Sequence, residues 1–264
     1  MPSNQSSSSK NDRREAARLQ AQRLREVQAK REKRNRLVLV AVAVAVVALI
    51  AVAAFVISKQ ANRTLLSDLG GPAPQGSDVN GGIPVGETGA AGTTTDGAVT
   101  VDLYLDFMCP YCGQLEQTNG GDLQTLITDG TATIVYHPVA NLDQLSQGTN
   151  FSTRSANALA TVANDAPESI MEFLAAMFAN QPGENTEGLT DDEISQIAVT
   201  AGVPQEVADT FAAGTYNEWV DLATQQAQRD GATGTPTVMF DGEIVKVDWS
   251  TPGVLLAAVQ AAAK

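Results

Sequence analysis

The two cysteines of this 264-residue chain lie three positions apart, at the ends of a Cys-Pro-Tyr-Cys sequence that runs from Cys109 to Cys112. Residues 99–107 are rich in β-branched and aromatic side chains and predict a strand, whereas residues 113–127 carry apolar side chains at helical spacing. Because proline is favoured at the first position of a helix, Cys109 is predicted to cap the helix N-terminus. Unpaired backbone N–H groups and the positive end of the helix dipole stabilise a thiolate there. We therefore expect the pKa of Cys109 to lie well below that of a free thiol.

The second cysteine, Cys112, lies one helical turn after the first and on the same face, close enough to form a disulfide with it. A disulfide that closes so small a ring gains little from chain entropy, which favours a redox-active bond over a structural one. A structural disulfide, half of a zinc site and two buried thiols are the alternatives. A zinc site needs about four ligands, and the two cysteines with the one histidine, His137, supply three. The strand–Cys-x-x-Cys–helix pattern favours the redox-active pair, whose chemistry requires no metal and no nucleotide cofactor.

Two motifs carry a resemblance to a known family. Residues 107–113 read Phe-Met-Cys-Pro-Tyr-Cys-Gly, and residues 234–237 read Gly-Thr-Pro-Thr. With these motifs the chain, over about residues 82–264, resembles the DsbA-like thiol–disulfide oxidoreductases of the thioredoxin superfamily, of the membrane-anchored bacterial type. The resemblance implies an α/β, thioredoxin-like fold with an inserted helical subdomain, and disulfide exchange with other proteins through a mixed disulfide.

The four residues of the Cys-Pro-Tyr-Cys motif have distinct expected roles. Cys109 is the expected nucleophile with the exposed sulfur, because the helix dipole acts on it most directly. Cys112 is expected to lie deeper and to resolve the mixed disulfide. Pro110 shapes the turn, and Tyr111 is expected to lie beside the sulfurs and tune thiolate stability, with simple packing as the alternative. Pro110 and Tyr111 are also expected to contact the substrate.

The late Thr-Pro pair is the second part of the expected site. Pro236 matches the cis-proline that faces the two cysteines in this superfamily, which the resemblance implies for this chain as well. The backbone of Thr235 would then pair with an extended segment of the substrate, as in a short β-augmentation.

One position departs from the family pattern. Many relatives carry a buried acid six residues before the first cysteine, used to shuttle protons to the resolving thiol, and here that position is Leu103. Strand alternation predicts that Asp102 and Asp106 face the other way. Asp106 is a candidate substitute, with a solvated or hydrogen-bonded aspartate as the alternative. His137, at the end of the second predicted strand, is a further candidate for proton transfer.

Charge divides the chain into two parts of opposite sign around an apolar run. Residues 1–36 contain eleven Lys or Arg and four Asp or Glu, whereas residues 58–264 contain six basic and twenty-six acidic side chains. Between them, residues 37–57 carry no charged or polar side chain, and as a helix they span about 31 Å, enough to cross a bilayer. We interpret them as an uncleaved transmembrane signal anchor. The basic flank predicts a cytoplasmic segment 1–36 that contacts anionic lipid rather than nucleic acid, and an extracytoplasmic remainder.

The remaining boundaries follow from composition. Residues 58–97 are predicted to form a flexible tether, since nine of the 28 residues from 70 to 97 are glycine, although residues 82–86 are a candidate edge strand of the folded domain. That domain is expected at residues 98–264. Residues 131–138 predict a second strand, parallel to the first through a right-handed crossover, and the helical insertion occupies about residues 140–230.

The C-terminal part of the domain has two further signals. Residues 235–247 predict a hairpin that turns at Asp241-Gly242. Residues 251–263 predict a last helix, capped by Thr251 with Pro252 in its first turn. The order strand–helix–strand, helices, hairpin, helix is that of the thioredoxin architecture.

These expectations describe a membrane-anchored, extracytoplasmic enzyme that exchanges disulfides with unfolded or reduced secreted proteins. Oxidation of these clients is the expected direction, because a stabilised thiolate favours the reduced enzyme and because disulfides persist outside the cytoplasm. A reductase or isomerase, for example in cytochrome c maturation, is an alternative, as is a non-enzymatic, chaperone-like binding module. The chain has no third cysteine, so a membrane redox partner of the DsbB or vitamin K epoxide reductase type is expected to restore the disulfide.

Overall fold

The computed structural model describes residues 23–25, 28, 30–53 and 63–263, in two units that are treated separately. The first unit contains helix α1, Arg23–Ala53, which is long and apolar enough to cross a membrane by its length and composition. The last four residues of the predicted span lie outside the described residues, as do residues 1–22 and 58–62.

The second unit, Thr64–Lys264, is built on a five-stranded mixed sheet with the order β1-β3-β2-β4-β5. Strands β2 and β3 are parallel, with Val99 opposite Ala132, and the other neighbours are antiparallel. The predicted parallel pair and the hairpin across Asp241-Gly242 are therefore confirmed. The strands are β1 (Ile83–Val85), β2 (Val99–Leu105), β3 (Ala132–Pro138), β4 (Thr237–Phe240) and β5 (Glu243–Ile244).

Helices cover the sheet and fill the connection between β3 and β4, where the helical insertion was expected. Helix α2 follows β2 directly, and its buried face packs against β3 and α8, while α4 from the insertion packs along another side. The helices are α2 (Pro110–Thr128), α3 (Phe151–Asp165), α4 (Ile170–Ala179), α5 (Asp191–Thr200), α6 (Gln205–Ala208), α7 (Asn217–Arg229) and α8 (Val254–Ala262). Short 3-10 turns lie at Leu65–Asp68, Asp143–Leu145, Pro167–Ser169 and Phe211–Ala213.

The structure corrects the extent of the flexible tether. Residues from Thr64 onward belong to the compact unit: the N–H of Leu65 donates to Gln226 Oε1 at 2.9 Å, and β1 is a buried edge strand paired with β3. The glycines of this stretch serve tight turns and close packing rather than mobility. At Gly76, where φ is +77°, an added Cβ would lie 2.4 Å from the Cα of Gly92. The frequency of glycine in the sequence does not distinguish a mobile tether from tight turns, because glycine is common in both.

Element ends differ from the prediction at two places near the C-terminus. Helix α8 begins after Gly253 rather than at Thr251, because the Thr251 hydroxyl donates to Asp248 Oδ2 at 2.8 Å instead of capping the helix. Strand β5 ends at Ile244, three residues earlier than expected. Helix α5 begins with a capping box, in which Thr190 Oγ1 accepts from the N–H of Glu193.

Candidate active site

The Cys-Pro-Tyr-Cys motif lies at the junction of β2 and α2, as predicted. Cys109 is the N-cap of α2, with extended backbone angles, and Pro110 occupies the first turn. The Cys109 N–H donates to the carbonyl of Asp106 at 3.0 Å, and the Cys112 N–H donates to the carbonyl of Cys109 at 3.0 Å. The helix therefore begins directly after Cys109, with the N–H groups of its first turn near the sulfur.

The environment of Cys109 stabilises its thiolate. Interaction of the sulfur with the Cys112 thiol, and then with the Thr235 side chain and the N–H groups of Cys112 and Tyr111, lowers the pKa of Cys109 to about 6, although burial opposes the shift. When protonated, the thiol donates to the carbonyl oxygen of Thr235 at 3.3 Å, a contact that by itself favours the neutral thiol. A thiol with this pKa is largely ionised at neutral pH.

The second sulfur has the opposite environment. Cys112 is completely buried, and burial raises the pKa of its thiol well above the ordinary value, with further increases from its hydrogen bond to Cys109 and from the negative charge there. The two cysteines are free thiols in the structure. They form an asymmetric pair in which the first ionises readily and the second holds its proton.

Exposure around the sulfurs corrects one expectation. Cys109 was expected to expose its sulfur, but only 4 % of the residue is exposed, and the sulfur contacts the carbonyl oxygen of Thr235. Tyr111 instead projects outward with 62 % of its surface exposed. Its side chain is therefore available to a partner molecule, and only its backbone N–H acts on the Cys109 sulfur.

The peptide bond between Thr235 and Pro236 is cis, as expected from the resemblance. It immediately precedes β4, in which Thr237 pairs with Tyr104 of β2. This register brings the turn across the sheet to the end of β2, where the motif begins. The sulfur of Cys109 thus faces a backbone carbonyl that is 126 residues away in sequence.

Asp106 supports the turn that carries Cys109. The carboxylate is fully buried and accepts hydrogen bonds from the N–H of Met108 at 2.9 Å, the N–H of Leu142 at 2.9 Å and the hydroxyl of Ser152 at 2.7 Å. Burial raises its pKa to about 6, and a charge on Cys109 adds to the increase. Asp106 is therefore a hydrogen-bonded aspartate, and a role for it in proton transfer stays a proposal.

His137 is paired with Asp102 on the sheet. Its Nε2 donates to Asp102 Oδ1 at 2.9 Å, and its ring stacks on Tyr104 with centroids 4.1 Å apart. Leu103, at the position of the family's usual acid, is completely buried in the core. No cluster of three or more His, Cys, Asp or Glu side chains suited to a metal ion occurs in the part of the chain that the structure describes.

Gln181, which was not predicted from the sequence, lies just after α4 in the helical insertion. Its side-chain Nε2 donates to the carbonyl of Phe107 at 2.8 Å and to the carbonyl of Cys109 at 2.9 Å. Gly113 makes room for this contact, since a Cβ there would lie 2.3 Å from Gln181 Oε1. No local signal points to Gln181, because the contact spans 72 residues.

Glu116 is a second acid that the sequence analysis did not single out. It lies one turn after Cys112 on α2, and burial raises its pKa to about 7. Its Oε2 is buried without a hydrogen-bond partner. The spacing from Cys112 could have drawn attention to it, but its burial depends on the packing of α4 beside α2.

A family model described as thioredoxin matches residues 87–258 of the chain. The chain belongs to the thioredoxin family. Among curated proteins, this thioredoxin-family chain is 31% identical over 191 residues to the serine/threonine-protein kinase PknE of Mycobacterium tuberculosis and of Mycobacterium bovis. The match covers 67% of this chain but 31% of the kinase, so the chain spans about a third of the length of these curated relatives.

Several solved structures are similar to this thioredoxin-family chain in sequence and in fold. A reduced disulfide bond oxidoreductase, DsbG, from Mycobacterium tuberculosis is 30% identical with a TM-score of 0.58, covering 68% of this chain and 86% of that one. Reduced DsbA from the same organism is 28% identical with a TM-score of 0.56, covering 70% and 100%. The thiol-disulfide oxidoreductase MdbA from Actinomyces oris is 26% identical with a TM-score of 0.60, covering 75% and 95%. The chain is a DsbA-like member of the thioredoxin family.

Proposed function

We propose that this protein introduces disulfides into secreted proteins, by exchange at Cys109 and Cys112, from a position anchored in the membrane with its catalytic unit outside the cytoplasm. The observation that carries the proposal is the asymmetry of the two sulfurs: the pKa of Cys109 is lowered to about 6, whereas that of Cys112 is raised. The helix N-cap, the Thr235 carbonyl and the buried second thiol are the parts from which the reaction can be derived.

The first step forms a mixed disulfide. A client thiolate attacks the sulfur of Cys109 in the enzyme disulfide, the Cys109–Cys112 bond breaks, and Cys112 leaves as a thiolate that takes up a proton. Its raised pKa keeps that proton bound and so disfavours the reverse attack. The extended client segment would lie along the backbone at Thr235, whose carbonyl already contacts the Cys109 sulfur.

The second step releases the oxidised client. A second client thiolate attacks the client sulfur of the mixed disulfide, and Cys109 leaves as a thiolate. A thiol of low pKa is the better leaving group, and the helix N-terminus holds the resulting charge. The client loses two electrons and the enzyme gains them as a dithiol. A separate membrane partner of the DsbB or vitamin K epoxide reductase type would then remove the two electrons.

The reduction potential of the Cys109–Cys112 pair tests the direction of the reaction. A stabilised Cys109 thiolate predicts a potential near or above about −180 mV, and a value near the thioredoxin range of about −270 mV would favour a reductase. Oxidation of a reduced, unfolded protein should require Cys109, so Cys109→Ser should abolish it. Client protection that persists in this variant would instead favour a chaperone-like binding module.

A further inference from the structure

A groove of about 680 Å³ runs between α2 and α4, next to the motif. Pro110 and Gly113 line one end of it, so the groove begins at the first turn of the active-site helix. Gln181, which holds the carbonyl of Cys109, also belongs to its lining. The groove lies along α2, while Thr235 contacts the Cys109 sulfur from the turn before β4. A chain bound at the Cys109 sulfur therefore lies next to Pro110, one of the residues that line the groove.

The charged groups in the groove are all acidic. Glu116 contributes from α2 and Glu172 from α4, and no Lys or Arg is found among the described residues that line it. Glu116 Oε2 is buried and lacks a hydrogen-bond partner, an arrangement that disfavours the ionised carboxylate and that an incoming cation would correct. Beside these acids, Met171 and Phe178 supply apolar wall.

The glycines of α2 keep the groove open. Glycine is unfavourable in a helix interior, yet Gly120 and Gly121 occur together in the middle of α2 and both line the groove. A Cβ at Gly120 would lie 2.6 Å from Glu116 Oε1, whereas a Cβ at Gly121 would meet nothing within 4 Å. The first glycine admits the carboxylate, and the second leaves open space beside it.

We propose that this groove binds a lysine or arginine side chain of the client, close in sequence to the client's reacting cysteine, with the aliphatic stem on Met171 and Phe178 and the cation at Glu116. The inference rests on the proposed function, since it names a preference of the same exchange reaction. It makes the enzyme selective among cysteines by the charge of their neighbours.

A peptide series tests this preference with the full-length protein in detergent. Each peptide has one cysteine, and lysine or norleucine occupies one position from three before to three after it. The second-order rate of attack on the enzyme disulfide is divided by the rate of the same peptide with a small aromatic disulfide, which removes any effect of lysine on the peptide thiol itself. At one or two positions we expect lysine to react about fivefold to tenfold faster than norleucine, as for a charge-assisted contact.

Three variants identify the groove as the cause. Glu116→Gln should bring the lysine-to-norleucine ratio close to one. Gly121→Leu should do the same by filling the groove, without removing a charge. Glu168→Gln, at an exposed position outside the groove, is the matched loss of one charge and should keep the ratio.

Two results would overturn the inference. In the first, lysine gives the same rate advantage at every peptide position, and Glu116→Gln and Glu168→Gln reduce that advantage equally. This result would indicate attraction to the acidic unit as a whole. The other is no lysine advantage at any position. Failure of the proposed function is distinct, because it would appear as slow reaction of the norleucine peptides and a low reduction potential.

Discussion

At the scale of single residues, the proposed disulfide exchange depends on the difference between two sulfurs that are three positions apart. Cys109 lies at the helix start with hydrogen-bond donors around it, and Cys112 lies in the core. Helix α2 supplies both environments. Its N-cap residue lies beside the N–H groups of the first turn, whereas Cys112, one turn later, lies on the face of the helix that is buried in the core. Pro110 preserves this geometry by fixing the first turn.

This difference predicts selective alkylation of the reduced protein. Iodoacetamide should modify Cys109 far faster than Cys112, although both are buried, because the thiolate is the reacting species. The Cys109 rate should follow its ionised fraction and therefore rise through a midpoint at about pH 6. Peptide mapping after brief labelling between pH 4.5 and pH 8 measures both rates. Equal rates, or faster labelling of Cys112, would contradict the assigned roles.

At the scale of elements, the helical insertion acts on the active-site turn through Gln181. Its amide holds the carbonyls of Phe107 and Cys109, and thereby connects the end of α4 to the N-cap of α2. The insertion also forms one wall of the groove beside the motif. It is therefore part of the site as well as a separate layer of the fold.

Replacing Gln181 by leucine should loosen this connection. The variant keeps a similar volume but loses two hydrogen bonds, for an expected loss of about 1–3 kcal/mol in the free energy of unfolding. The midpoint of Cys109 alkylation should also move to higher pH, because the N-cap would hold its geometry less firmly. Denaturant unfolding and the alkylation profile measure the two effects. Gln225→Leu, at an exposed position on α7, is the control and should change neither.

The glycines of α2 allow a paired test of the same contact. Gly113→Ala should destabilise the protein, since the new Cβ would lie 2.3 Å from Gln181 Oε1. Gly121→Ala should stabilise it by up to about 1 kcal/mol, because the Cβ meets open space and alanine is the better helix former. Thermal or denaturant unfolding compares the two variants with the parent protein. Stabilisation by both substitutions would show that Gln181 does not pack against Gly113 in solution.

At the scale of the whole molecule, the chain combines an apolar helix that follows basic residues with an acidic folded unit. A net negative charge of this size disfavours self-association of the folded unit. Because that unit begins at Thr64, the segment between it and Ala53 is far shorter than the sequence analysis expected.

This organisation predicts the outcome of proteolysis on intact cells. A protease that does not cross the membrane should cut between Ala53 and Thr64 and release a folded fragment that starts near residue 64. The basic flank of the apolar helix gives this orientation, since such flanks stay in the cytoplasm. Mass spectrometry of the released fragment identifies the cut. Full protection in intact cells, with cleavage only after lysis, would show the opposite orientation.

Local patterns in the sequence were sufficient for the elements that depend on neighbouring residues. The strand–Cys-x-x-Cys–helix unit, the N-cap at Cys109, the capping box at Thr190 and the hairpin at Asp241-Gly242 each follow from residues within a few positions of one another. The cis bond before Pro236 was expected from the resemblance to the family, not from local physics.

Tertiary structure alone decided which groups surround the sulfurs. Leu142 and Ser152 reach Asp106, and Gln181 reaches Cys109, because the insertion folds back over α2. Burial likewise gives Asp106 and Glu116 their raised pKa values, and burial depends on packing partners far away in sequence. Glycine-rich residues 64–97 illustrate the same limit: their composition permits a mobile linker or tight turns, and contacts with β3 and α7 select the turns.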